Sequence, residues 1–149
     1  MSTANTSTEM RQNPILIIDD DQDDLDMIKE AADRLNLNRP IHFFRNGSEL
    51  ESFLQSSAEP PFLIISDVNL PGEDGFDIKK RISRNKDLRY LSVPFIFWST
   101  DASEKQIQYA YDLPAQGFFF KASNFEELCD TFRTIVNYWQ KSQHPKRLQ

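Results

Sequence analysis

The chain has 149 residues and a formal net charge of −6, room for one domain with a sizeable core and not comfortably for two. Its pI near 4.9 argues against general nucleic-acid binding, which needs a basic face. No apolar run approaches the roughly 20 residues of a membrane span. The single cysteine, Cys129, excludes an intramolecular disulfide and a cysteine-based zinc site, and residues 1–12 lack the apolar core of a signal peptide, so a cytoplasmic location is expected.

In chain order, residues 1–12 are polar and Ser/Thr-rich and are expected to be disordered. Ile15-Leu-Ile-Ile18 is an all-apolar run, read as a strand buried on both faces, and it ends in Asp19-Asp20-Asp21. A helix follows with Leu25, Ile28, Ala32 and Leu35 on one stripe, and Asn36 to Pro40 breaks it. Ile41-His-Phe-Phe44 is a second strand, and Ser48 with Glu51 has the spacing of a capping box for a short helix with Leu50, Phe53 and Leu54 inward. Ser56 to Pro61 is a loop. Phe62-Leu-Ile-Ile-Ser66 is a third buried strand running into Asp67 and a Pro/Gly-rich turn. From Asp74 to about Asn85 a helix places Ile78 and Ile82 inward and Lys79, Lys80, Arg81 and Arg84 mostly outward. Val93 to Trp98 is the fourth strand, ending in Ser99-Thr100. Ser103 with Gln106 caps the next helix, whose inner face is Ile107, Ala110 and Tyr111. Gly117-Phe-Phe-Phe120 is the fifth strand, ending in Lys121, and Asn124 with Glu127 caps a last helix carrying Leu128, Phe132, Ile135 and Trp139 on one stripe. Strand and helix thus alternate five times, which predicts an α/β fold with a parallel sheet covered on both faces.

In such a sheet the carboxyl ends of the strands share one edge, where ligands bind. That edge collects Asp19 and Asp20, Asp67, Ser99 and Thr100, and Lys121. Carboxylates gathered closely repel one another, and a hard divalent cation with oxygen ligands relieves the conflict, so Mg²⁺ is predicted here with Mn²⁺ as a substitute. With no histidine or cysteine at these positions, zinc and copper are disfavoured. One lysine and one hydroxyl beside the cation are suited to phosphoryl oxygens.

These pieces together resemble the receiver domain of two-component response regulators. The match lies in Ile-Leu-Ile-Ile-Asp19-Asp20, Ile-Ser-Asp67-Val-Asn-Leu-Pro71 with Gly75, Phe-Trp-Ser99-Thr100 and Phe-Phe-Lys121, in order and at family-like spacing over about residues 13–140. The resemblance implies a flavodoxin-like (βα)5 doubly wound sheet in strand order 2-1-3-4-5. It implies that Asp67 takes a phosphoryl group from a phosphohistidine of a histidine kinase or histidine phosphotransfer protein. Asp19, Asp20 and Asp67 would bind the metal, Asp19 mainly through a water, with the backbone carbonyl of Asn69. Lys121 would contact the phosphoryl group, and Ser99 and Phe118 would form a switch that alters the face made by the fourth helix, fifth strand and fifth helix. Asn69 and Asp101 would flank the attacking water and tune dephosphorylation. Two positions depart from the family: Ala122 stands where a proline is usual, and Phe118 lacks a tyrosine hydroxyl.

No output-length segment follows the fifth helix, so a stand-alone receiver is expected, with residues 141–149 a polar, basic tail. It would work through protein contacts, with an unnamed downstream protein and a homodimer on the fourth-helix face both compatible with the pattern. The competing readings are a receiver-like module that binds proteins without phosphorylation, and a Mg²⁺-dependent hydrolase with an aspartyl-phosphate intermediate. Such hydrolases carry an acid two residues after the nucleophile, and here Asn69 has no proton to give. Asp23, Asp24 and Asp26 read as solvated helix charges, His42 as structural or exposed, Cys129 as packing, and Trp98 and Trp139 as core or interface residues.

Overall fold

The structure is a computed structural model and describes residues 13–57, 60–84 and 93–142. The N-terminal segment, His144 and the tail from residue 143 lie outside the described residues. Five strands alternate with five helices: β1 (Ile15–Ile18), α1 (Gln22–Leu35), β2 (Ile41–Phe44), α2 (Gly47–Ser56), β3 (Leu63–Ser66), α3 (Gly75–Arg84), β4 (Phe95–Ser99), α4 (Glu104–Asp112), β5 (Gly117–Phe120) and α5 (Phe125–Lys141). The strands form one sheet in the order β2-β1-β3-β4-β5, and every pairing is parallel. Fold class and strand order are those the sequence implied.

Alternation along each strand divides the core in two. Leu16, Ile18, Ile64, Phe95 and Phe97 point to the side covered by α2, α3 and α4, where they meet Leu50, Leu54, Ile78, Ile82 and Ala110. Ile15, Ile17, Leu63, Ile65, Ile96 and Trp98 point to the side covered by α1 and α5, where they meet Leu25, Ile28, Ala31, Leu128, Phe132 and Ile135. Trp98 stacks on Phe132 with ring centroids 5.8 Å apart. It therefore faces away from Phe97, its neighbour in sequence. Cys129 is buried.

Several local expectations shift. The cap of α2 is Asn46, whose side chain accepts from the Glu49 N–H while Glu49 accepts from the Arg45 N–H, so the reciprocal pair sits two residues earlier than Ser48 and Glu51. On α1 the most buried alanine is Ala31 rather than Ala32. On α4 Tyr111 points outward, 52% exposed, and Ala110 alone is fully buried. On α3 Lys79 is buried rather than outward, with its ammonium 5.4 Å from the Phe95 ring centroid, and burial lowers its pKa. The long methylene stem lets a lysine lie along apolar surface in this way. The caps Ser103 with Gln106 and Asn124 are as the sequence predicts.

The turn after β3 depends on a glycine. Gly75 donates its N–H to the Val68 carbonyl at 2.9 Å, and a Cβ there would lie 2.2 Å from the Asp67 carbonyl oxygen and 3.1 Å from its carbon. No side chain relaxes away from a backbone contact of that kind. Gly75→Ala is expected to push the β3–α3 turn off the sheet edge and destabilise the protein by about 1–3 kcal/mol, read as a lowered denaturation midpoint.

Candidate functional site at the carboxyl edge of the sheet

The ladder bonds continue one residue past each strand and so fix the residues that carry the chemistry. The Asp19 N–H donates to the Phe44 carbonyl, the Asp67 N–H to the Ile18 carbonyl and the Lys121 N–H to the Ser99 carbonyl, at 3.0, 2.9 and 2.8 Å. Backbone thereby fixes Asp19, Asp67 and Lys121 along one edge of the sheet, Lys121 beside Ser99, before their side chains make any contact.

The side chains then converge. Lys121 Nζ donates to the carboxylates of Asp19, Asp24 and Asp67, the latter two at 2.9 Å. Its side chain is 5% exposed and that of Asp19 1%. The other oxygen of Asp67 accepts from Ser99 Oγ at 3.0 Å and from the Asn69 N–H at 3.2 Å. Ser99 Oγ also lies 3.0 Å from the Asp101 carbonyl oxygen, so a single hydroxyl hydrogen is shared between two acceptors. Asn69 and Asp101 are exposed, and the Asn69 amide nitrogen is 3.4 Å from the Asp101 carboxylate. Asp19 accepts from the Asp21 N–H at 3.0 Å, and Asp21 itself caps α1 by accepting from the Asp23 and Asp24 N–H groups.

Asp19, Ser99, Asp67 and Lys121 thus meet as the sequence anticipated, with Asn69 and Asp101 at the rim. Phe118 is half-buried, its ring centroid 5.9 Å from that of Phe97 on the α4 side. Asp24 is not the solvated charge the sequence suggests but part of the contact network. Its signal is in the helical spacing: it lies four residues before Ile28 and seven before Ala31, so it continues their buried stripe up to the sheet edge. All peptide bonds among the described residues are trans, Lys121–Ala122 included.

The electrostatics follow from burial. Desolvation pushes the Asp19 carboxyl up to about 6, and the Lys121 charge opposes this only in part. Burial alone would lower the Lys121 pKa, but the charges of Asp19 and Asp67 and the hydrogen bonds to Asp19 and Asp24 outweigh it and hold the ammonium protonated well above its ordinary range. Asp19, Asp24 and Asp67 each offer a carboxylate oxygen within 4.8 Å of the others, and Asp20, half-buried at the end of β1, falls outside this group. An all-oxygen, anionic donor set with a single cation among several carboxylates fits Mg²⁺ or Mn²⁺.

The family model of the response regulator receiver domain matches residues 15–133, and the chain belongs to that family. Response regulator Rcp1 of Synechocystis sp. is 26% identical over 130 residues, covering 84% of this chain and 87% of that protein. The crystal structure of the phosphorylated cyanobacterial phytochrome response regulator RcpA superposes with a TM-score of 0.79 at 26% identity, over 91% of this chain and 99% of that one. The Mn²⁺-bound form of Rcp1 shares the fold, with a TM-score of 0.76 at 24% identity over 90% and 99% of the two chains. Among the described residues no helix is long and apolar enough to cross a membrane.

A cation can bind through Asp19 only once its proton has left. Affinity for Mg²⁺ is therefore expected to be flat above pH 7 and to fall, with proton release on binding, as pH drops through about 6. In the metal-free protein the sign for stability is opposite. The folded state holds the Asp19 proton more tightly than the unfolded chain, so this group's stabilising contribution is present below about 4 and lost as pH rises through about 6. Calorimetric Mg²⁺ titrations and melting curves between pH 5 and 8 would check both signs.

Proposed function

We propose that the protein is a single-domain response regulator, with its receiver over residues 13–140, that accepts a phosphoryl group on Asp67 and signals by protein contact. The carrying observation is the double hold on one carboxylate at a strand's end: Lys121 on one oxygen at 2.9 Å and Ser99 on the other at 3.0 Å. The donor is a phosphohistidine on a histidine kinase or phosphotransfer protein.

In the transfer, an Asp67 oxygen attacks phosphorus in line, the P–N bond breaks, and its electron pair leaves with the imidazole, which takes up a proton. An acyl phosphate remains on Asp67. Lys121 places its ammonium against the equatorial oxygens as charge gathers there. Asp19 and Asp67, with Asp20 and the Asn69 carbonyl beside them, would hold Mg²⁺, which supplies the second cationic charge on the transferring group. The protein is not an enzyme in the sense of acting on a separate substrate; it catalyses its own phosphorylation and the slow hydrolysis that ends the signal, with Asn69 and Asp101 beside the water's path.

The switch begins at Ser99. A phosphoryl oxygen on Asp67 draws the hydroxyl away from the Asp101 carbonyl, and Phe118, half-buried against Phe97 on the neighbouring strand, answers that move. Rotation of Phe118 alters the face of α4, β5 and α5, where Phe120 is already 51% exposed. The response is a shift between two populations, no larger than the difference in stabilisation between them.

Incubation with a small acyl phosphate and Mg²⁺ is expected to give a phosphoryl mass shift in the wild type, removable by hydroxylamine, and none in Asp67→Asn. Lys121→Ala is expected to keep modification at a reduced rate while losing the conformational response. A normally modified Asp67→Asn protein would overturn the assignment, and a wild type that no donor modifies would favour a phosphorylation-independent binding module.

A further inference from the structure

Asp24 plays no part in the transfer step just described, yet it is one of three carboxylates on Lys121. It sits in the first turn of α1, three residues after the cap Asp21, with its carboxylate 2.9 Å from Lys121 Nζ and its side chain 25% exposed. An ammonium has three N–H donors and no acceptor. Asp19, Asp24 and Asp67 take one each, so the resting ammonium is saturated.

A phosphoryl oxygen on Asp67 can be met by Lys121 only if an existing acceptor lets go. Asp19 is the worst placed to do so: it is 1% exposed, and its other oxygen is anchored by the Asp21 N–H. Releasing it would leave a buried carboxylate without its cation, the costly outcome for any buried pair. Asp67, once phosphorylated, passes the N–H it accepted to a phosphoryl oxygen, so a second contact from the ammonium to that group has to displace Asp19 or Asp24. Asp24 is the most exposed of the three, and the N-terminal turn of α1 is an environment that favours a free carboxylate.

We infer that Asp24 is a resting-state latch on Lys121, a positioning residue that competes with the phosphoryl group for the ammonium and so lowers the affinity of the site for that group. The inference rests on Asp67 being the phosphoacceptor. It assigns Asp24 a role opposite in sign to that of a supporting residue: its removal tightens binding at the site.

The test is beryllofluoride, which mimics a phosphoryl group on an aspartate, titrated with fluorine NMR at saturating Mg²⁺. Asp24→Asn keeps the size and the helix-end hydrogen bonding of the residue but removes the charge. Asp23→Asn removes the same charge one residue away, from an exposed side chain that makes no contact with Lys121, and controls for general electrostatics. Asp24→Asn is expected to bind beryllofluoride about tenfold more tightly than the wild type, a coupling of ordinary size for one charged contact, and Asp23→Asn to change by less than about twofold. Unchanged or weaker binding in Asp24→Asn would overturn the latch, as would equal tightening in both variants, which would mean charge alone is at work. A wild type that binds no beryllofluoride at any Mg²⁺ concentration would instead remove the phosphoacceptor reading, and the latch with it.

Discussion

The ammonium of Lys121, drawn in by carboxylates from three different segments, is the contact on which the site depends. Asp19 follows β1, Asp24 stands in α1, Asp67 follows β3, and Lys121 follows β5. A parallel sheet places all the strand ends on one edge, but it does not by itself make like charges tolerate one another. One buried cation among several carboxylates satisfies its own donors completely and leaves the carboxylates under-neutralised. That residual negative charge is what makes the edge receptive to a divalent cation. The protein is built around a charge imbalance that a ligand resolves.

Burial sets the direction of each shift. The strand-end positions that bring Asp19 and Asp67 together also take Asp19 out of water, and desolvation wins over its partner lysine. The backbone bonds that carry the ladder one residue past β1, β3 and β5 hold the groups in place against that cost. Gly75 completes the arrangement from the other side, because only a residue without Cβ lets α3 begin against the Asp67 carbonyl. Stability is conceded at this edge, while the two apolar layers above and below the sheet supply the rest.

Most of the fold was legible because each strand is a short apolar run ending in turn or charged residues, and each helix shows its stripe and its cap. The core site was legible for the same reason, since Asp19, Asp67, Ser99 and Lys121 all stand where a strand ends. What was not legible came from three-dimensional neighbours. Asp24 looks like one of several acidic residues in a helix's first turn, and only the position of Lys121 distinguishes it from Asp23 and Asp26. Lys79 reads as surface until Phe95 is seen beneath it, and Tyr111 reads as core until α4 is seen to rest on Ala110. The cap of α2 moved by two residues because Asn46 offers as good an acceptor as Ser48.

What matters most is where Lys121 and Ser99 go when Asp67 is loaded. A crystal structure with Mg²⁺ and beryllofluoride measures this directly. The expected result has Lys121 Nζ and Ser99 Oγ both on fluorine atoms at Asp67, Ser99 withdrawn from the Asp101 carbonyl, and Lys121 parted from Asp24 but not from Asp19. A loaded Asp67 with Lys121 still on all three carboxylates and Ser99 still on Asp101 would contradict it.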